Sequence, residues 1–334
     1  MQMSNQMSKP SFKIYLTDSD FPDTTIEDAI LAPLTTQVIR RYCRTTQDVI
    51  EQCADADALL VQWARVDAQV LDQLTRLKVI VRFGIGVDMI DIPAATARGV
   101  AVCNTPDYCT AQVATHAMTL LLTLARSINS VQAAVNEQHW GFKAVSRPIY
   151  NLPGQTLGLV GLGRIGRRVS EMARAFGLKV IAFDPYATST DIPLVSLSEL
   201  LSQADYISLH SPLTNETQNM FNTETLRAMK PTAYLINTSR GGLVDSVDLN
   251  VALRKGTIAG AALDVLSTEP PDWRDPLLSA PNLILTPHLA WYSLGAPEEM
   301  RGEAAGALAQ ILDGKRPSGL LNTPAISSTR WKMQ

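Results

Sequence analysis

The sequence has few cysteines and no long apolar run, and these absences exclude several classes of protein. Its 334 residues include only four cysteines, which form no C-x-x-C pair and do not cluster with the histidines. Neither a disulfide scaffold nor a cysteine-based metal site is therefore expected, and buried free thiols in a reducing compartment are the simpler interpretation. The longest apolar candidate, residues 117–125, is far shorter than the roughly 18 residues of a membrane span, so no membrane partner is expected.

The sequence also lacks an excess of either charge. Lysine and arginine total 29 and aspartate and glutamate total 32, so the formal net charge is -3, and no basic run offers nucleic acid an electrostatic footprint. The polar segment 1–9 has no apolar signal-peptide core, which favours a cytoplasmic protein. With 46% hydrophobic and 18% charged residues the chain is expected to be globular, and its length suits two domains.

Two sets of short β-branched runs alternate with helical patterns along the chain. The first set covers 12–18, 37–42, 58–63, 78–83 and 100–103, and the second covers 156–161, 180–184, 206–210, 234–238, 260–265 and 283–286. A long helical pattern separates them, over about 110–138, and a last one covers about 297–313. Such alternation is typical of parallel sheets joined by crossover helices. The sequence therefore predicts an α/β fold of two doubly wound parallel-sheet domains, one spanning 1–111 and completed by 296–334, the other spanning 112–295.

The strongest local signal is a glycine pattern at the start of the second set. Gly161, Gly163 and Gly166 form G-x-G-x-x-G between the strand pattern 156–160 and a helical pattern that begins near Arg167. This context is typical of a dinucleotide-binding turn. The first glycine permits the tight turn, the second lets the backbone approach a pyrophosphate, and the third lets helix and strand pack closely. The N-terminus of the helix adds unpaired N–H groups and a positive dipole end.

An acidic residue, Asp184, ends the strand pattern that follows the glycines. A carboxylate at this position can accept hydrogen bonds from ribose hydroxyls and repels a 2′-phosphate. The sequence therefore predicts NAD, with NADH as its reduced form, as the cofactor in preference to NADP.

Three residues suited to acid–base chemistry follow later strands of the second set, namely Arg240, Glu269 and His288. Ligands of open parallel sheets bind at the carboxyl ends of the strands, so we expect these side chains to lie together. The arginine fork suits a planar carboxylate, histidine suits proton transfer near neutral pH, and a glutamate beside the histidine would orient its ring. Two further histidines, His116 and His210, are interpreted as structural.

In these motifs the sequence resembles the D-2-hydroxyacid dehydrogenase family, from about residue 12 to residue 322. The order arginine, glutamate, histidine carries the resemblance. Four segments are most similar to the C-terminal-binding-protein-like branch of that family: Cys-Asn-Thr-Pro at 103–106, Phe-Asp-Pro-Tyr at 183–186, Gly-Gly-Leu-Val-Asp at 241–245 and His-Leu-Ala-Trp-Tyr-Ser at 288–293.

The resemblance implies a fold, an activity and a partner. The fold would be a Rossmann-type NAD domain and a flavodoxin-like substrate domain with a cleft between them. The activity would be that of an oxidoreductase that reduces 2-oxo acids with NADH or oxidises 2-hydroxy acids. Arg240 would clamp the substrate carboxylate, and His288 paired with Glu269 would be the acid–base. A homodimer is also implied, with the arm 138–153 crossing between protomers.

The resemblance further implies binding residues at strand ends. Cofactor contacts are expected, besides the three glycines and Asp184, at Val160, Leu162, Arg164, Ile165, Ser211, Pro212, Thr217, Thr238, Ser239, Asp264, His288 and Ala290. Asp264 would bond the nicotinamide carboxamide. Substrate contacts are expected at Gln62, Trp63, Arg82, Gly84, Ile85, Gly86, Arg240 and Trp291. The chain departs from the family at Ile85, where a small residue is common, and at Met89, where asparagine is common.

Two alternatives stay open from the sequence. One is an NAD-sensing corepressor that binds short peptides, although the chain shows no long disordered regulatory tail and its catalytic set is intact. The other is a dehydrogenase of a phosphorylated or sugar-derived acid, which would need a second cation. No metal and no nucleic acid partner is expected.

Overall fold

The chain forms two compact units. The computed structural model describes residues 12–34, 37–188 and 191–323. Unit 1 contains the residues up to Cys109 together with those from Ser293, and unit 2 contains Thr110–Tyr292. These divisions lie a few residues from the predicted boundaries at 111/112 and 295/296. The polar segment 1–9 and the end of the range 296–334 lie outside the described residues.

Among the residues that the structure describes, unit 1 has a parallel sheet of five short strands. The strands are β1 (Lys13–Leu16), β2 (Gln37–Arg40), β3 (Ala58–Val61), β4 (Val79–Arg82) and β5 (Ala101–Cys103). The helices between them are α1 (Thr25–Leu31), α2 (Thr46–Gln52), α3 (Ala68–Gln73) and α4 (Ile92–Ala97). The strand order is β2-β1-β3-β4-β5, which is the flavodoxin-like doubly wound order and confirms the prediction.

Unit 2 is built around a parallel sheet of six strands. These are β6 (Thr156–Val160), β7 (Lys179–Phe183), β8 (Tyr206–Leu209), β9 (Tyr234–Asn237), β10 (Gly260–Leu263) and β11 (Leu283–Leu285). Its helices are α5 (Thr110–Ala125), α6 (Ile128–Asn136), α7 (Arg164–Ala175), α8 (Leu197–Gln203), α9 (Thr223–Ala228) and α10 (Ser246–Lys255). Helices α5 and α7 share a buried apolar core on one face of the sheet, and α8, α9 and α10 share the core on the other.

The strand order of unit 2 is β11-β10-β9-β8-β6-β7. A single parallel bridge from Ala182 to Leu194 extends the sheet beyond β7, where a Rossmann fold has its outermost strand. The order reverses between β6 and β8, and this switch point is where such sheets bind dinucleotides. The predicted Rossmann-type domain is therefore confirmed.

The single helix predicted over 110–138 is wrong. The structure has two helices there, α5 and α6, separated at residues 126–127. Ser127 adopts a left-handed backbone conformation with φ of 51°, which ends the first helix although neither glycine nor proline marks the position. No helix within the described ranges is long and apolar enough to cross a membrane.

Helix α11 (Ala296–Leu312) belongs to unit 1 and is anchored there by a buried ion pair. Arg301 Nε and Nη2 donate to the two carboxylate oxygens of Glu27 at 2.8 and 2.6 Å, and Nη2 also donates to Asp23 Oδ1 at 3.1 Å. The Glu27 side chain is completely buried. A buried carboxylate without a partner is strongly destabilising, so Glu27 on α1 depends on the positive charge of Arg301 on α11.

The parallel strands of unit 2 bring the predicted functional residues to one edge of the sheet. Gly161 follows β6, Asp184 follows β7 and Arg240 follows β9. Asp264 follows β10 directly, and His288 lies just beyond β11. Since all these strands run in the same direction, their carboxyl ends form one continuous rim, on which the candidate site is built.

Candidate active site

The three glycines of the nucleotide signature have different surroundings. Gly161 has φ of +96°, and a Cβ built there would lie 2.7 Å from the carbonyl carbon of His210. A Cβ on Gly166 would lie 2.4 Å from the carbonyl oxygen of Gly161. A Cβ on Gly163, the N-cap of α7, would meet no atom within 4 Å. Gly161 and Gly166 are thus required by close packing, whereas Gly163 faces open space beside a helix N-terminus, which suits an approaching phosphate.

Asp184 is tied to the glycine turn that precedes it in the chain. Its Oδ2 accepts from the backbone N–H of Leu162 at 2.7 Å, and its Oδ1 accepts from Tyr186 N–H at 2.8 Å. Each carboxylate oxygen has a further lone pair, so the ribose contacts predicted for Asp184 are compatible with both bonds. The bond to Leu162 holds the carboxylate against the turn.

Several other predicted cofactor residues order the rim of the sheet. Ser211 Oγ donates to Val160 O at 3.1 Å, and Ser239 Oγ donates to Leu209 O at 2.8 Å. Thr238 is different, because its Oγ1 is buried and has no hydrogen-bond partner among the described residues. An unsatisfied buried hydroxyl is costly, and a bound ligand that supplies a partner removes that cost. The open cradle at Gly163 and the orphaned Thr238 hydroxyl both fit a dinucleotide.

The two residues predicted to act as an acid–base pair are in contact. Glu269 Oε2 lies 2.5 Å from His288 Nδ1, and Glu269 Oε1 accepts from Leu266 N–H at 2.8 Å. Burial alone would raise the pKa of the Glu269 carboxyl. The bond to His288 and the histidine charge, together with the Leu266 amide and the Arg240 charge, outweigh burial and hold that pKa below its ordinary value. Since a carboxylate only accepts, Nδ1 carries the proton in this bond and Nε2 is the ring atom that can exchange a proton with a ligand.

Arg240 is held close to this pair by its own backbone. Asn237 Nδ2 donates to the carbonyl oxygen of Arg240 at 2.8 Å, and Arg240 Nη1 donates to Ser239 O at 2.8 Å. The next residue, Gly241, packs so tightly on the segment before Glu269 that a Cβ would lie 1.9 Å from the carbonyl carbon of Leu266. This contact brings the arginine loop and the glutamate loop together, as the positions at strand ends predict.

His288 has an unusual backbone that Asp264 supports. Its φ is 54°, in the left-handed region that non-glycine residues rarely adopt. Asp264 O accepts from His288 N–H at 2.7 Å, and the Asp264 carboxylate accepts from the N–H groups of Leu289 at 3.0 Å and Ala290 at 2.8 Å. Such strained conformations persist only where the surroundings enforce them, and here three bonds to one aspartate do so. The predicted bond from Asp264 to a nicotinamide carboxamide would use the remaining lone pair of Oδ2.

Unit 1 places its predicted substrate residues at the ends of β3 and β4. Gln62 is buried, and its amide is engaged with Asp20, whose N–H donates to Oε1 at 3.0 Å and whose Oδ2 accepts from Nε2 at 3.1 Å. Trp63 is about half exposed and donates through Nε1 to the same Asp20 oxygen at 3.3 Å. The Arg82 guanidinium lies 5.6 Å from the centre of the Trp63 ring. Gln62 therefore helps to hold the Trp63 ring in place, because both side chains donate to Asp20 Oδ2. Of the two, only Trp63 is substantially exposed.

The glycine loop after β4 is closely packed in unit 1. Gly84 has φ of +128°, and a Cβ there would overlap the Arg82 guanidinium. Gly84 N–H donates to Thr105 Oγ1 at 2.7 Å, and Ile85 O accepts from Asn104 Nδ2 at 2.7 Å. Because the Gly84 N–H is already bonded to Thr105, the backbone N–H groups expected to bind a substrate carboxylate are those of Ile85 and Gly86. That contact remains a prediction.

The sequence does not predict one contact near His288. His116, which is interpreted from the sequence as structural, has its Nε2 3.0 Å from Thr286 Oγ1, and the sequence analysis assigns Thr286 no role. Thr286 stands two residues before His288, and that proximity was the available signal. Trp291 follows His288 by three residues and stacks edge-on against Tyr292, with ring centres 5.7 Å apart. Its contact with substrate remains a prediction.

Comparison with known proteins gives a consistent result. The sequence profile described as "D-isomer specific 2-hydroxyacid dehydrogenase, NAD binding domain" matches residues 118–290. The D-3-phosphoglycerate dehydrogenase of Methanocaldococcus jannaschii is 39% identical over 84% of this chain and 55% of its own, so the chain spans about half of that relative. The glyoxylate reductase of Korarchaeum cryptofilum is 38% identical over 83% of this chain and 86% of its own.

A solved structure agrees with the sequence relatives. The D-lactate dehydrogenase of Aquifex aeolicus, complexed with NAD and lactic acid, superposes with a TM-score of 0.80 at 29% identity, covering 90% of this chain and 96% of that one.

Proposed function

The chain belongs to the D-isomer specific 2-hydroxyacid dehydrogenase family, and we propose that it reduces a 2-oxo acid at C2 with NADH, or oxidises the corresponding 2-hydroxy acid. The observation that carries the proposal is the 2.5 Å contact between His288 Nδ1 and Glu269, a carboxylate that also lies within the influence of the Arg240 charge. Because this contact engages Nδ1, Nε2 would be the atom that exchanges a proton with the substrate. A cation and a proton donor on one rim are what a 2-oxo acid needs, since its carboxylate must be held while its carbonyl oxygen is protonated.

Each of the three side chains has a separate task in this proposal. Arg240 binds the substrate carboxylate through its fork and fixes the orientation of C2. His288 donates the proton on Nε2 to the oxygen that becomes the hydroxyl, and it recovers a proton from solvent before the next turnover. Glu269 keeps the ring oriented and balances its charge when both nitrogens are protonated. In the oxidation direction neutral His288 accepts the hydroxyl proton.

The cofactor would be held by the glycine turn and the strand ends beyond it. NADH, when bound, supplies the hydride. The backbone N–H groups at Gly163 and the N-terminus of α7 suit its pyrophosphate, and Arg164 adds a charge at the same turn. Asp184 would accept from the ribose hydroxyls, and the Thr238 hydroxyl would gain the partner that it lacks. The Asp184 carboxylate favours NADH over NADPH because it repels a 2′-phosphate.

The substrate side chain is proposed to be apolar and larger than a methyl group. Trp291 follows His288 by three residues in unit 2. An aromatic side chain near the reacting carbon would favour apolar substrate chains because it gains contact area without leaving a polar group unpaired. A phosphorylated acid would need a second exposed cation. Arg82, a predicted substrate contact of unit 1, is buried, and its guanidinium lies 5.6 Å from the centre of the Trp63 ring.

The protein is proposed to be a homodimer. Six apolar side chains of unit 2 are exposed on α6 and the following arm: Ile128, Val135, Trp140, Phe142, Val145 and Tyr150. Trp140 is 81% and Phe142 97% exposed, and clusters of this kind mark protein interfaces. Light scattering should give a dimer mass, and Trp140→Ser with Phe142→Ser should shift it towards the monomer. A wild-type monomer mass at micromolar concentration would refute the proposal.

The corepressor alternative gains no support from the relatives, which are named as dehydrogenases and reductases. The decisive experiment is NADH oxidation with a panel of 2-oxo acids that includes glyoxylate, pyruvate, 3-phosphohydroxypyruvate, 2-oxoisocaproate and phenylpyruvate. We expect turnover with at least one of them, and its loss in His288→Ala and Arg240→Gln while both variants still bind NADH. Trp291→Ala should impair the larger substrates more than glyoxylate. NADH binding without turnover of any 2-oxo acid would overturn the enzymatic proposal.

A further inference from the structure

A second histidine, His116, is linked by hydrogen bonds to Asp264, the residue that holds the backbone around His288. His116 lies on α5, and its Nε2 is 3.0 Å from Thr286 Oγ1 and 3.6 Å from Asp264 Oδ1. Thr286 Oγ1 lies 2.5 Å from Asp264 Oδ1. The Asp264 side chain is 1% exposed, and a carboxylate only accepts hydrogen bonds. The one hydroxyl proton of Thr286 is therefore committed to Asp264, and His116 Nε2 must carry the proton of the other bond.

Asp264 transmits this arrangement to the acid–base residue. Its Oδ1 accepts from Thr286 and from Leu289 N–H, and its Oδ2 accepts from Ala290 N–H. These two amides directly follow His288, whose left-handed φ of 54° needs external support. The Asp264 carboxylate therefore supplies two of the hydrogen bonds that hold the backbone around His288, beside the bond from His288 N–H to the Asp264 backbone oxygen.

We propose that His116 and Thr286 are positioning residues of the acid–base site. His116 fixes the Thr286 hydroxyl, Thr286 fixes the Asp264 carboxylate, and Asp264 holds the backbone that aims the His288 ring. A helix 170 residues earlier in the chain thus sets the geometry of proton transfer. The inference rests on the proposed function where it takes His288 as the acid–base, whereas the support of the backbone stands on the geometry alone.

The first test follows the backbone directly and needs no substrate. Hydrogen exchange of the Leu289 and Ala290 amides is compared in Thr286→Val, which keeps the shape but removes the hydroxyl, and in Thr286→Ser, which keeps the hydroxyl. Thr119→Val is the matched control, because the Thr119 hydroxyl donates only to Thr115 O on its own helix, at 2.8 Å. Thr286→Val should speed exchange of both amides about tenfold or more, and the other two variants should stay within about twofold of wild type.

The second test separates positioning from general structure. His116→Leu removes the N–H donor, and His116→Gln replaces it with an amide N–H. With the best 2-oxo acid, His116→Leu should lower kcat about tenfold while the Kd for NADH changes less than about threefold, and His116→Gln should recover most of kcat. A merely structural histidine would give no recovery with glutamine.

The outcomes distinguish the two proposals. Wild-type exchange rates and kcat in folded Thr286→Val overturn this inference. If Thr286→Val does not fold, His116→Leu decides the question by the same two measurements. If Thr286→Val speeds exchange of the Leu289 and Ala290 amides but His288→Ala still turns over the substrate, then Thr286 does position this backbone. His288 would in that case not be the acid–base residue.

Discussion

Replacing Gly163 with alanine should weaken cofactor binding strongly and change the stability of the fold only slightly. A Cβ at this position meets no atom within 4 Å, and the residue is the N-cap of α7 with φ of −75° and ψ of −161°, which alanine can adopt. Gly163→Ala is therefore expected to change the free energy of unfolding by no more than about 0.5–1 kcal/mol, and the sign is favourable if the loss of unfolded-state entropy dominates.

NADH binding should respond very differently. The added methyl group occupies the space through which a pyrophosphate must approach the backbone N–H groups. A hydrogen bond to a charged group contributes about 1.5–3 kcal/mol, so losing one should raise the Kd for NADH roughly 10- to 150-fold. Gly166→Ala should show the opposite pattern, because its Cβ would lie 2.4 Å from the Gly161 carbonyl oxygen. Overpacking against backbone costs about 1–3 kcal/mol of stability.

The assay combines urea unfolding followed by circular dichroism with NADH fluorescence titration of each variant. Gly302→Ala is the matched control, since Gly302 lies inside α11 and its Cβ also meets nothing within 4 Å. This control should stabilise the protein by up to about 1 kcal/mol and leave NADH binding unchanged. Wild-type affinity for NADH in a normally folded Gly163→Ala variant would refute the assignment of the glycine turn as the pyrophosphate site.

Three further predictions concern charge. Glu269→Gln should lower kcat for reduction more than kcat for oxidation at neutral pH, because the amide cannot balance a protonated His288; equal losses in both directions would contradict the pairing. Asp184→Ala should narrow the ratio of kcat/KM for NADH over NADPH, and a wild-type enzyme that uses both equally would refute the role of Asp184. Burial lowers the pKa of His210 from 6.5 to about 4, so the unfolded chain binds its proton first and stability is lost as pH falls from about 6.5 to 4. His210→Asn should remove up to about 2 kcal/mol of the stability difference between pH 7 and pH 5, and an unchanged difference in urea midpoints would exclude His210 as its source.

The parts of the fold and site that the sequence predicted are those encoded locally. The glycine pattern and Asp184 directly follow β6 and β7, and Arg240, Glu269 and His288 lie in the loops after β9, β10 and β11. Because the strands are parallel, these positions come together at one edge of the sheet. The strand patterns also agree with the structure, since the pattern at 156–161 corresponds to β6.

The parts that sequence reasoning missed depend on contacts between distant segments or on unmarked backbone conformations. The break between α5 and α6 rests on a left-handed Ser127, which no glycine or proline announces. The contact of His116 with Thr286 joins residues 170 positions apart, and the engagement of Gln62 by Asp20 joins residues 42 positions apart. Neither residue of such a pair looks unusual in its own segment, so local patterns cannot reveal them.

The late position of α11 in the chain has a consequence for biosynthesis. Unit 2 is one continuous segment and can fold as soon as it leaves the ribosome. Unit 1 consists of two segments, and Glu27 in the first lacks its ion-pair partner until Arg301 in the second has been synthesised. Until α11 emerges, burying Glu27 would cost several kcal/mol, and an incomplete unit 1 is not expected to offset that cost. A nascent chain stalled before residue 296 should therefore carry a protease-resistant unit 2 behind a protease-sensitive N-terminal segment. The N-terminal sheet of unit 1 would then become stable only after unit 2, although its strands precede unit 2 in the chain.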